Sequence, residues 1–276
     1  MNANKGAYDV SSHNLDVNRE FQRLHIQAHL TWKRESRVLS QFGIQDGMSL
    51  AEFGSGPGFT SELLLSLIPN GSVTAIELDP IMIKHAKQYQ KQQEINEEKL
   101  KIINASIMDT GLPDNTFDFA VARAIFIHLD DPVRAAKEIC RILKPGGKLV
   151  VTEADSEVFL LPDPPMPELK LLMEKLTEVL KTRGGDPQVG RKLMRILKKA
   201  GFQNLDLEAI MLHNGEIPLD DFFLKNDPGT FSQLVTNNGF VTEKQVEDYK
   251  NAIDLFMKSP DPFWGEFWMM ACGEKP

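Results

Sequence analysis

The chain has 276 residues, 42% hydrophobic and 25% charged, with a formal net charge of −8. That length and balance suit one large globular domain, or a domain with an added subdomain, and the interspersed acidic and basic residues argue against a nucleic-acid partner. Two cysteines in unrelated contexts, Cys140 and Cys272, exclude a disulfide framework or zinc set, and the absence of a long apolar run gives no membrane span or signal peptide, so a cytoplasmic protein is expected.

Residues 14–42 space their apolar positions among charges and read as one or two helices. "Gly43-Ile44-Gln45-Asp46-Gly47" breaks that pattern, and short apolar runs then alternate with helical stretches. Strands are expected at 49–53, 72–78, 99–105, 117–124 and 148–154. Helices are expected from about Thr60 to Leu67, from about Pro80 to Gln93, and from Asp131-Pro132 to near Leu143. The proline-rich 161–167 reads as a rigid connector into a helix over 168–182. A helix over 188–202 leads to a sixth strand at 204–212, and 263–274 closes the chain as a last strand. Strand–helix units in this rhythm imply parallel strands with right-handed crossovers, a doubly wound α/β sheet. We divide the chain into an N-terminal helical lid segment (1–42), a ligand-binding core (43–155), and the remainder of the same domain (156–276). The last part includes an insertion at about 214–262 expected to lie over the carboxyl edge.

Gly54-Ser55-Gly56-Pro57-Gly58 follows the first strand and opens a helix, the context of a nucleotide-type site. A dinucleotide fingerprint needs its third glycine at position 59, where this chain has Phe59. Pro57 removes an N–H that a pyrophosphate cradle uses, and no Walker lysine follows. The loop therefore favours a ligand that lies close to the backbone without a phosphate. Glu77 ends the second strand where a ribose-binding carboxylate belongs, the alternative being a solvated strand end. Asp79, before Pro80, suits a helix N-cap.

"LAEFGSGPG", "VTAIELDP", "LPDNTFDFAVARAIFIHLDDP" and "EICRILKPGGKLVVTEAD" together resemble the class I methyltransferases that use S-adenosylmethionine. The likeness is to the small-molecule type with UbiE-like, methyltransferase type 11 motifs, and "RGGDPQVGRKLMRILKKAGF" (183–202) extends it. The resemblance implies a Rossmann-like seven-stranded sheet whose last strand is antiparallel, with S-adenosyl-L-methionine at its carboxyl edge and helical lid elements above. It also implies that Gly54, Gly56 and Gly58 lie against the methionine and ribose portion and that Glu52 orients the amino end. Glu77 then holds the ribose, Leu78 packs on adenine, and Ser106 stands where the family often has an aspartate for the adenine amino group. Arg123 faces the cofactor carboxyl portion in one reading and pairs with Asp118 or Asp130 in the other.

Methyl transfer needs alignment of a nucleophile and exclusion of water, with a base when the acceptor is a hydroxyl. His128, just past the fourth strand, is the candidate base, the alternative being a loop histidine bonded to backbone. "Asp163-Pro164-Pro165-Met166" follows the wrong strand for an amino-methylating motif. Asp130 and Asp131 are better explained by a helix cap than by a metal, so no metal is expected. The insertion aromatics Phe222, Phe223, Phe231, Phe240, Tyr249 and Phe256, with Trp264 and Trp268, suit a core more than a pocket. Those that line a pocket would favour a small apolar or aromatic substrate. The rival functions are other chemistry on the same cofactor, and a non-catalytic cofactor-binding role. Substrate, methylated atom and oligomeric state are not specified by the sequence.

Overall fold

The computed structural model describes residues 17–225 and 239–276. One helix, α1 (Val17–Phe42), takes up the described part of the amino-terminal segment and is followed by β1 (Ser49–Phe53), α2 (Phe59–Leu67), β2 (Ser72–Glu77) and α3 (Pro80–Gln92). Next come β3 (Leu100–Asn104), β4 (Phe117–Arg123), α4 (Pro132–Ile142) and β5 (Leu143–Glu153). A short β6 (Leu160–Asp163), α5 (Pro167–Thr182), α6 (Leu193–Ala200), β7 (Gln203–His213), α7 (Leu219–Lys225), α8 (Glu243–Met257) and β8 (Phe263–Glu274) complete the order. Two single 3₁₀ turns, Phe126–His128 and Gly190–Lys192, stand before α4 and α6.

The main sheet runs β3-β2-β1-β4-β5-β8-β7, with β1 to β5 parallel and β8 antiparallel to both its neighbours. This is the seven-stranded mixed sheet with an antiparallel last strand that the motifs imply. The proline-rich stretch departs from expectation. Leu160–Asp163 is not only a connector but an eighth strand, paired antiparallel with Phe263–Glu266 along the edge of β8 that β5 leaves open. Pro162 is tolerated there because an edge strand can present its missing N–H outward.

Strand alternation sends each face into its own core, as expected of a parallel sheet covered on both sides. Leu50, Phe119, Val121 and Val150 point towards α1, α2, α5, α7 and α8. Ala51, Phe53, Ala120, Ala122 and Val151 meet α4 and α6, which supply Ala135, Ile139, Leu193 and Leu197. Asp79 caps α3 by accepting from Ile81 N at 2.8 Å, and Asp131 caps α4 from Arg134 N at 2.9 Å. Asp131 is thus a helix cap, and no group of three or more His, Cys, Asp or Glu among the described residues is arranged to hold a metal ion. Phe222, Phe223, Tyr249, Phe256 and Trp264 are buried in the first core, with Phe240 packed against it. Phe231 lies outside the described residues, as do positions 1–16 of the amino-terminal segment. No helix among the described residues is long and apolar enough to cross a membrane.

Candidate active site

A cavity of about 670 Å³ opens at the carboxyl ends of β1, β2, β4 and β5. All of Glu52, Gly54, Gly56, Glu77, Leu78, Ser106, Arg123 and His128 line it, and Gly58 stands just behind as the N-cap of α2. α1 closes one side with Glu20, Arg23, Leu24, Gln27 and Ala28, and α5 another with Met173, Leu176, Thr177 and Leu180. None of the described residues of the 214–262 insertion lines it.

The three glycines are bare for different reasons. All have positive φ, at +64°, +54° and +87° in turn. A Cβ on Gly54 would stand 2.4 Å from Ile125 Cδ1, so this glycine is required by the loop after β4 rather than by open space. A Cβ on Gly58 would only touch Ala86. Gly56 alone has nothing within 4 Å of its Cβ position, and it is there that the loop opens onto the cavity.

The loop's N–H groups are spent within the protein. Gly54 N and Ser55 N donate to Ile76 O at 2.9 and 3.3 Å, and Gly58 N to Ser55 O at 3.1 Å. Gly56 N donates to Glu77 Oε2 at 2.8 Å, and Pro57 has no N–H. No loop N–H from Gly54 to Gly58 remains for a phosphate.

Glu77 is held from three sides. Besides Gly56 N on Oε2, its Oε1 accepts from Leu78 N at 2.7 Å and Asp79 N at 2.9 Å. A carboxylate has about four acceptor positions, so about one is left for a ligand hydroxyl. Burial pushes its pKa up, against the pull of those N–H groups. Asn104 ties the same strand end by donating to the Glu77 and Leu78 carbonyls at 3.3 and 3.0 Å. Leu78 is 41% exposed, an apolar surface beside this carboxylate. Ser106 Oγ accepts from Met108 N at 3.1 Å and so shapes the turn that forms the far wall.

Glu52 is buried, accepts the Ser61 hydroxyl, and is pushed up to about 8 by burial, with Ser61 and Arg123 opposing. Arg123 pairs with neither Asp118 nor Asp130. Its Nε donates to both Glu35 oxygens at 2.9 and 3.1 Å, and its Nη2 to Gln27 O at 3.1 Å and Thr31 Oγ1 at 2.8 Å. The guanidinium also stands 5.4 Å from the Trp268 ring centre. Asp118 instead binds Lys144 and Ser49 N. Arg123 therefore fastens α1 to the sheet while lining the cavity.

The loop carrying His128 is braced from behind. Glu153, at the end of β5, accepts from Ile127 N at 3.2 Å. Asp186 N donates to Ile127 O at 2.9 Å, and a Cβ on Gly185 would stand 2.5 Å from that oxygen. This assigns a local role to "RGGDPQVGR": it seats the post-β4 loop, while Arg191 locks Asp155 through two short bonds. Sequence reasoning missed Glu153, although an acid closing an apolar strand is the mark that singled out Glu77. It also missed the aromatic wall of Phe159 and Trp268, edge to face at 5.2 Å.

The charges on the wall are lopsided. Glu20, Glu52, Glu77, Asp79, Asp130 and Glu153 face the cavity against Arg23, Arg123 and Arg183, Arg23 and Arg123 are already paired with Glu20 and Glu35, and Glu52 and Glu153, held near 8 by burial, ionise only as a cation arrives. Such a site favours a cation over an anion.

The family model described as a methyltransferase domain matches residues 51–151, the strands from β1 through β5. An uncharacterized methyltransferase of Schizosaccharomyces pombe is 30% identical over 148 residues, 52% of this chain and 52% of that protein. A demethylmenaquinone methyltransferase of Staphylococcus aureus is 27% identical over 143 residues, 50% of this chain and 57% of that protein. The chain spans about half the length of these two curated relatives. Among solved structures, phosphoethanolamine N-methyltransferase 2 of Haemonchus contortus, in complex with phosphomonomethylethanolamine and S-adenosylhomocysteine, aligns with a TM-score of 0.59 at 20% identity. That alignment covers 89% of this chain and 53% of that one. The [4+2]-cyclase SpnF aligns with a TM-score of 0.53 at 19% identity, over 88% of this chain and 81% of that one. The architecture is the Rossmann-like fold of class I methyltransferases.

Proposed function

We propose that the protein binds S-adenosyl-L-methionine in this cavity and transfers its methyl group to a small molecule. The observation that carries the reading is the glycine loop, which offers a backbone opening at Gly56 but no N–H for a phosphate, beside a wall rich in carboxylates. A nucleoside sulfonium matches both features, being cationic at sulfur and free of phosphate. Ser55 Oγ supports the fit. It is buried, lines the cavity and has no hydrogen-bond partner among the described residues, so a ligand hydroxyl or amine would satisfy it.

In this reading Glu52 receives the amino group, Arg123 the carboxylate, and Glu77 a ribose hydroxyl. Leu78 and Ser106 flank the adenine, and Gly54, Gly56 and Gly58 shape the main chain beneath. When bound, the cofactor supplies a methyl group already activated for in-line displacement. The protein's part is to align the acceptor and exclude water, which α1 and α5 do by walling the cavity. His128 lines the same space and would accept the proton of a hydroxyl acceptor. The apolar side, Phe159, Met173, Leu176 and Trp268, favours a small apolar or aromatic substrate of the kind handled by the UbiE-like, small-molecule subtype. The two free cysteines suit a cytoplasmic setting.

Calorimetric titration with S-adenosylmethionine tests the reading, with Glu77→Ala and NADH as controls. Saturable binding that Glu77→Ala weakens, without binding of NADH, is expected. Absence of binding to S-adenosylmethionine, or equal binding of NADH, would overturn it. A second reading, other chemistry on the same cofactor, is favoured by the structural likeness to a [4+2]-cyclase. Product mass separates the two, since only methyl transfer adds a methylene unit to the acceptor.

A further inference from the structure

A serine inside a helix commonly turns its hydroxyl back on the preceding turn. Ser40 and Ser66 do so here, donating to Ser36 O at 2.9 Å and Leu63 O at 2.6 Å. Ser61, in the first turn of α2, does not. It is fully buried and donates across to Glu52 Oε2, nine residues back on β1. Alanine would fill the same place and favours a helix more, so packing alone does not account for a hydroxyl there.

Glu52 is 3% exposed and lines the cavity, whereas Ser61 stands behind it and does not. With Oε2 held from the α2 side, Oε1 is the carboxyl oxygen left to meet a ligand. The same bond acts on the charge of Glu52. Burial, helped by Glu77, favours the neutral acid, and the Ser61 hydroxyl and Arg123 pull the other way. The hydroxyl therefore makes ionisation of Glu52 easier when an ammonium group comes within reach.

We propose that Ser61 is a positioning residue of the methyl-donor site: it turns Glu52 so that Oε1 faces the cavity and accepts from the ammonium group of the donor. This rests on the methyl-donor reading above and deepens it, since Ser61 touches no ligand and acts through Glu52. As the ammonium group arrives, Glu52 gives its proton to solvent. Ser61 and the ligand then hold one carboxylate oxygen each.

The test uses the full chain with two probes, S-adenosylhomocysteine and 5′-methylthioadenosine. Both carry the nucleoside and its thioether, and only the first has the amino-acid chain. Calorimetry is expected to show Ser61→Ala weakening S-adenosylhomocysteine about 10-fold and 5′-methylthioadenosine less than about twofold. Unchanged binding of the second probe also reports that the variant is folded. Glu52→Gln is expected to weaken S-adenosylhomocysteine at least as much. Adding Ser61→Ala to it is then expected to weaken binding by less than about a further twofold, because no carboxylate remains to be aimed. Equal weakening of both probes would make Ser61 a support of the loop alone and overturn the proposal. So would no weakening of either probe, no effect of Glu52→Gln, or losses that multiply in the double variant. If S-adenosylhomocysteine gives no heat with the unaltered protein, the methyl-donor reading fails instead, and the two failures are told apart in one experiment.

Discussion

Replacing Glu35 by Leu is the sharpest probe of how the lid helix is held. Glu35 is 3% and Arg123 11% exposed in the side chain, and the guanidinium bonds both carboxylate oxygens. Removing one partner of a buried pair costs about 3–5 kcal/mol, because the remaining charge stays desolvated. For a chain of this size that lowers the melting temperature by roughly 6–10 °C. The Gln27 carbonyl and Thr31 hydroxyl remain as acceptors, which favours the lower end. The double variant Arg123→Met with Glu35→Leu is expected to recover at least half of the loss, since removing both charges ends the desolvation penalty. Thermal and urea unfolding of the four proteins closes the cycle. The double variant is still expected to bind S-adenosylmethionine poorly, because Arg123 is gone. A shift below about 2 °C for Glu35→Leu, or a double variant whose loss equals the sum of the singles, would refute the argument.

Glu77→Ala deletes the acceptor for three N–H groups and for the ligand hydroxyl, and calorimetry is expected to show affinity for S-adenosylmethionine falling about 10- to 100-fold. Gly54→Ala and Gly56→Ala are expected to separate stability from binding. The first drives a Cβ into Ile125 and lowers the melting temperature markedly. The second adds a methyl to open space, costs about 1–2 kcal/mol for its positive φ, and mainly blocks the ligand. Glu52 and Glu153 are each held near 8 in the fold from an ordinary 4.5, so the folded chain binds protons that the unfolded chain releases. Stability is therefore expected to fall as pH rises from about 4.5 to about 8, by up to about 1.4 kcal/mol per pH unit for each group, and then to level off. Urea titrations across that window, repeated on the Glu52→Gln/Glu153→Gln variant, should show the slope and its loss. A slope of opposite sign would contradict the burial of these carboxyls.

Local patterns carried most of the fold. Apolar runs of strand length, Asp-Pro caps and Pro-Gly turns are decided within a few residues, so β1 to β5 and their helices fall close to where the sequence puts them. β6 was not legible because Pro162 within it and Pro164 just after it argue against a strand, and only the edge of β8 makes the pairing possible. The site divided in the same way. Glu77 was found because its distance from Gly54 is set by one strand–helix–strand unit. Arg123 was found, but not its partner, since Glu35 is 88 residues away and the meeting depends on where α1 lies. The aromatic pair Phe159–Trp268 is tertiary in the same sense and no local spacing announces it, whereas α1 and α5 were expected as lid elements without the residues they present to the cavity.

The glycine loop shows why the motif alone underdetermines its ligand. Glycines after a first strand suggest close approach by a nucleotide, and a phosphate is the usual guest because loop N–H groups stabilise it. Here each such group is accounted for. Two close onto β2, one closes the turn, Gly56 is taken by Glu77, and Pro57 has none. Glu77 thus does two things at once: it removes the one N–H facing the cavity from phosphate duty and adds a negative charge beside it. A dinucleotide would need to break that bond and bring two further negative charges against Glu52 and Glu77. A nucleoside with a positive sulfur meets the opposite balance. It leaves the Gly56–Glu77 bond intact, faces acids rather than donors, and gains most where the wall is least compensated.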